Sequence, residues 1–169
     1  MSRQSEKPKI DIEMNTFDRF LETTALIALL FLIGLPAYYF HRLPAIIPTH
    51  FGMTGVPDNT GPRGVIWFLP VTGLILYAAL TVLNKYPHVF NYPAKITTEN
   101  VRYQYKTATQ LIRLLKVLIA AVFAYLTLSS IRTALGKQEG IGNYFVIGFV
   151  LLMSMIMSFY LYQIIKDRS

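Results

Sequence analysis

Cysteine is absent from the 169 residues. That excludes disulfides and thiolate zinc sites, and it leaves the redox compartment unmarked. Charge is scarce as well: 15% of the residues are charged and 53% are hydrophobic, with a mean hydropathy of +0.41. Acids are scarcer than bases, nine against sixteen, for a formal charge of +7. No P-loop, dinucleotide fingerprint or nucleophile–base pair is present, so nothing in the motifs calls for an enzyme. The apolar excess gathers in four runs, which points to a membrane protein. In that setting the basic residues are best explained by their bias across a bilayer, and no nucleic-acid partner is expected.

The spans are predicted at about 23–40, 65–83, 112–132 and 144–165. Each is long enough, with its flanks, to cross a hydrocarbon core of about 30 Å. Residues 1–18 read as a polar tail of mixed charge that ends in a short interfacial helix around Ile12 to Phe20. No cleavage site follows the first run, so a signal peptide is not expected. Residues 19–169 then form one domain, all-α and integral to the membrane.

Between the first two spans lies LPAIIPTHFGMTGVPDNTGPRG, residues 43–64, with four prolines and four glycines. That density rules out helix. Its apolar side chains and fixed turns predict an ordered loop that caps the bundle. His50, Phe51, Met53, Gly55, Asp58 and Arg63 are its candidate binding residues. His50 and Asp58, with His41 nearby, have the donor types of a zinc site but not the spacing of a tight metal motif. The plainer reading gives His50 a loop hydrogen bond and Asp58 a turn-capping role, with no metal and no cofactor.

From Glu99 no helix breaker occurs until Gly136, which predicts a long third helix that starts in water, with Thr97 or Thr98 as its N-cap. At 100° per residue, Arg102, Lys106, Thr109, Arg113 and Lys116 fall within about 80° of one another. The four basic members are expected to meet anionic lipid headgroups. Glu22, at the mouth of the first span, could relay protons or bind a cation. Its place at the edge of the span favours a pair with Arg113 or Lys116 instead. A small ligand site on the same side would draw on Asn91, Tyr92, Glu99, Asn100 and Tyr103. In the plainer reading Asn91 and Tyr92 hold the turn.

Twelve basic residues lie in the tail, the middle segment and the C-terminus, against four in the other two loops. Both termini are therefore expected in the cytoplasm and the 43–64 loop outside.

Two patches carry a family resemblance. The first is Leu43-Pro44, Ile47-Pro48, His50-Phe51, Gly55 and Pro57-Asp58. The second is Asn84, Tyr86-Pro87, Phe90-Asn91-Tyr92-Pro93 and Glu99-Asn100. Together they resemble the bacterial membrane proteins of the domain-of-unknown-function family 1648, over about residues 23–116. Its best-known relatives are immunity proteins against a secreted peptide toxin of the sporulation-killing type. The resemblance implies a bacterial inner-membrane protein that binds a peptide, toxin or envelope partner through the 43–64 loop. A membrane metalloprotein or enzyme using His50 and Asp58 is the alternative. So is an accessory subunit of a transporter, which would need a homo-oligomer, because four helices leave little room for a pathway.

Overall fold

The computed structural model describes residues 7–142 and 144–166. It contains four long helices: α1 (Thr16–Tyr39), α2 (Phe68–Leu83), α3 (Val101–Ala134) and α4 (Phe145–Lys166). All four, with flanking turns, are long and apolar enough to cross a membrane. Between α1 and α2 the chain forms two strands, β1 (Ile46–Phe51) and β2 (Pro57–Pro62). The expected all-α class is therefore corrected to a helical bundle with a β-hairpin.

The hairpin tolerates its prolines because a two-stranded ribbon has two free edges, where a missing N–H faces outward. The strands pair antiparallel, Ile47 opposite Gly61 and Phe51 opposite Pro57, with an irregularity around Thr49 and His50. Ile47 is 1% exposed and packs with Leu29, Leu32 and Leu35 of α1, Leu43, Ile66, and Ala124 and Ile131 of α3. That cluster fixes the ribbon to the bundle by apolar burial.

The first helix begins earlier than the expected tail boundary. Asn15 caps it: its side-chain oxygen accepts from the Asp18 N–H at 2.8 Å, and Asp18 accepts from the Asn15 N–H at 2.9 Å. This reciprocal box satisfies two donors and places an acid in the first turn, where the helix dipole favours it. Residues 16–18, expected in the tail, belong to α1.

α3 is the central element and packs against α1, α2, α4 and β1. Its 34 residues make a rod of about 51 Å, well beyond a 30 Å hydrocarbon core. Ahead of it Thr97 and Asn100 bond reciprocally, Thr97 N–H to Asn100 Oδ1 at 2.9 Å and Asn100 N–H to Thr97 Oγ1 at 3.3 Å. Thr97 thus stabilises the turn leading into α3, while the cap position itself is Asn100. On the far side Gly73 lets α2 approach closely. A Cβ there would stand 2.7 Å from Leu32 Cδ2 and 3.4 Å from Phe123. α4 is the least enclosed helix, with Tyr160 and Ile164 its buried residues. Many of its other apolar side chains, Ile147, Val150 and Leu151 among them, are exposed, as lipid contact allows.

Candidate functional site

The tip of the hairpin is joined to the α3–α4 loop. Gly55, at the ribbon's tip, has a φ of +79°. Its carbonyl accepts from the Ile141 N–H at 2.8 Å. The Ile141 carbonyl in turn accepts from the Tyr125 hydroxyl at 2.6 Å, and the Tyr125 ring stacks on Phe145 with centroids 4.4 Å apart. A Cβ on Gly55 would meet the Gly142 backbone, and one on Gly140 would meet the Gly55 backbone. Two loops far apart in sequence are thereby held backbone to backbone.

The hairpin residues singled out from the sequence fall in different places. His50 and Asp58 pair across the strands, Nδ1 to Oδ1 at 2.5 Å, with side chains 67% and 51% exposed. His41 does not join them: among the described residues no three His, Cys, Asp or Glu side chains group as a metal site would require. Gly55 is buried, and Met53 is 83% exposed. Arg63 donates its backbone N–H to Ala45 O at 2.9 Å and lays its guanidinium 5.1 Å from the Phe40 ring centre. Phe51 lines a groove of about 330 Å³ with Ile47, Pro48 and His50, closed on its other side by Phe68 and Leu126. Its walls are mainly apolar, with Thr49, Thr127, Ser130 and His50 as the polar points. A groove of this kind suits an apolar side chain with a few hydrogen-bonding groups beside it.

At the opposite end, three of the five residues expected to form a ligand site engage separate partners. Tyr92 donates to Pro87 O at 3.0 Å and stacks on Tyr105 at 5.5 Å. Burial, with the neighbouring Tyr105 adding to it, pushes the Tyr92 hydroxyl well above the usual tyrosine range. Asn100 is buried; it also donates its amide to Lys95 O at 3.0 Å. Tyr103 reaches Gln163 Oε1 on α4 at 2.9 Å. Asn91 and Glu99 are exposed.

The basic stripe requires a correction. Arg102 is exposed and Lys106 half-buried, but Arg113 and Lys116 are 6% and 2% exposed. Lys116 Nζ donates to Glu22 Oε2 at 2.6 Å and Thr81 Oγ1 at 3.1 Å, and it lies 4.9 Å from the Tyr77 ring centre. Arg113 lies 3.3 Å from Glu22 Oε1 and 3.6 Å from Asp18 Oδ1. Two basic side chains and two acids thus face each other inside the bundle, and neither Arg113 nor Lys116 is placed to meet a headgroup. The physical reason is that a charge inside a bundle is tolerable only beside its opposite. Asp18 and Glu22 are four residues apart on α1, and Arg113 and Lys116 three apart on α3, so each pair shares a face. The Glu22 pairing was visible in the sequence. The parts of Asp18 and Thr81 were not, and the one signal for Asp18 was its spacing from Glu22.

The model of a domain of unknown function (DUF1648) matches residues 25–74. The match takes in the first sequence patch and ends before the second. A protein of Archaeoglobus fulgidus, described as an uncharacterized protein, is 30% identical over 150 residues, covering 80% of each chain. No solved structure matches.

Proposed function

Since the chain belongs to the DUF1648 family, with the matched segment running from α1 through the hairpin into α2, we propose that this segment is the working part of a small integral membrane binding protein. Its partner is a peptide or the exposed segment of an envelope protein, received by the hairpin cap. The observation that carries this reading is the apolar groove of about 330 Å³ beside Phe51, with Met53 held out at 83% exposure on the same ribbon. A large apolar side chain on a tethered tip can be buried by a partner at small entropic cost. The basic residues favour a cap on the outer face and both termini in the cytoplasm, where the first turns of α3 project. In that orientation Arg102 and Lys106 would be the residues to meet anionic headgroups. The resemblance to immunity proteins makes a secreted peptide the first partner to try.

The test replaces Phe51 and Met53 with serine together. Neither belongs to the cluster that fixes the ribbon, so expression and insertion stay normal. Co-purification of a partner in mild detergent, or protection of cells against the peptide, is lost. If the double variant still captures its partner, the hairpin is a structural lid and the reading fails.

A further inference from the structure

A second groove, of about 650 Å³, runs along one flank of α1. Ile27, Leu30, Phe31, Gly34 and Tyr38 line it from α1, and Leu128 lines it from α3. The α1 members recur at helical spacing and form one stripe. From Ile27 to Tyr39, which also lines it, the stripe covers about 18 Å of helix axis. One leaflet of a hydrocarbon core is about 15 Å deep. The groove is thus about as long as a leaflet is deep, and its tyrosine end is the one nearer the hairpin.

Two observations point to an occupant. The first is Gly34. Glycine inside a helix costs stability relative to alanine, and packing within the chain does not account for it here. A Cβ on Gly34 would meet no atom within 4 Å, whereas one on Gly73 would strike Leu32. The glycine keeps the middle of the groove open. The second is Arg42, in the turn Phe40–Arg42 that follows α1. It is exposed, and its guanidinium lies 4.6 Å from the Tyr38 ring centre and 5.9 Å from that of Tyr39. Among the described residues no carboxylate pairs with it. An apolar channel one leaflet long therefore ends at an unanswered cation.

We propose that this groove holds one acyl chain of an anionic membrane phospholipid, with the phosphate on Arg42. The wall suits a hydrocarbon chain, and a guanidinium suits a phosphate through paired N–H donors. A zwitterionic headgroup brings its own ammonium to its phosphate, so a lipid of net negative charge gains most from Arg42. A second copy inserted in the same orientation would bring its own Arg42 to the same depth, which like charges oppose. The proposal goes beyond the cap reading and shares no lining residue with the groove beside Phe51.

The experiment is native mass spectrometry of the purified full chain, titrated in detergent with phosphatidylglycerol or with phosphatidylcholine of the same chains. One phosphatidylglycerol binds per chain, about tenfold or more tighter than phosphatidylcholine, the scale of one charge-assisted hydrogen bond. Arg42→Gln removes that preference and leaves phosphatidylcholine binding unchanged. Arg132→Gln, an exposed cation outside the groove, leaves the preference intact. Gly34→Leu fills the groove and weakens both lipids by about tenfold or more, since the chain loses its apolar contact, with the helical circular dichroism unchanged. Equal affinity for the two lipids, a preference that survives Arg42→Gln or falls as far in Arg132→Gln, or undiminished binding in Gly34→Leu would overturn the proposal. A lipid-free dimer that Gly34→Leu abolishes would also overturn it and assign the groove to a second copy.

Discussion

Glu22→Ala is the substitution to which the bundle should be most sensitive. Lys116 has a side chain that is 0% exposed and an ammonium that meets one carboxylate oxygen, one hydroxyl and one ring face. Without Glu22 its charge remains, buried on a threonine hydroxyl and a tyrosine ring. Removing one partner of a buried pair costs about 3–5 kcal/mol, mostly from the charge left behind. The reverse removal, Lys116→Met, should cost less. Glu22 keeps Arg113 at 3.3 Å, and its side chain is 27% exposed, so water shares the solvation. The two variants are therefore unequal although they break the same 2.6 Å contact. Each kcal/mol shifts the midpoint of a chain of this size by about 2–4 °C, so Glu22→Ala should unfold about 6–20 °C lower. Thermal unfolding in one detergent, followed by helical circular dichroism, reads both variants and their combination. The double variant should unfold above Glu22→Ala alone, because it no longer buries the lysine. A Glu22→Ala loss below about 1 kcal/mol, or a larger loss for Lys116→Met, would refute the reasoning.

Three further outcomes are expected. Tyr92 has its folded-state pKa raised, so its contribution to stability is present below the ordinary tyrosine value and is lost as pH rises through the folded one; Tyr92→Phe should cost about 0.5–1.5 kcal/mol at neutral pH for the lost bond to Pro87 and flatten the fall in stability above about pH 10. Gly55→Ala should loosen the cap by about 1–3 kcal/mol, since its φ is +79° and the Gly142 backbone fills the space; protease sensitivity of residues 52–56 and 138–142 reads it, and an unchanged cleavage rate would contradict the contact. A single cysteine at exposed Thr60 should react with an impermeant thiol reagent in intact cells, and one at exposed Glu99 only after lysis; the reverse pattern would invert the orientation.

The four spans could be read directly, because uncharged windows of that length have few other uses. The long α3 could be read too, from the unbroken stretch between Glu99 and Gly136. The hairpin could not. Pro48, Pro57 and Pro62 argue against strands in a larger sheet, and only a two-stranded ribbon with free edges removes the objection. The stripe on α3 was half legible. Helical spacing puts Arg113 and Lys116 on one face, but whether that face meets headgroups or the bundle depends on what stands opposite. The answer lies on α1, 94 residues away in the case of Glu22 and Lys116. Glu22 offered a partner at the right depth. Asp18 falls within the expected tail, because Asn15-x-x-Asp18 has the spacing of a capping box but not its usual Glu or Gln. In the hairpin, the motif makes Gly55 a candidate binding residue. Its burial against Gly142 follows from a loop contact that no local pattern encodes.

The central claim is that the hairpin receives a partner, and site-specific photocrosslinking in native membranes tests it most directly. A photoreactive residue replaces Met53 on the ribbon in one protein and Leu151 on α4, 65% exposed, in the other. The account predicts a discrete peptide or protein adduct from position 53, abolished by Phe51→Ser, and lipid adducts alone from position 151. Lipid adducts alone from both positions, or an adduct at 53 indifferent to Phe51, would contradict it.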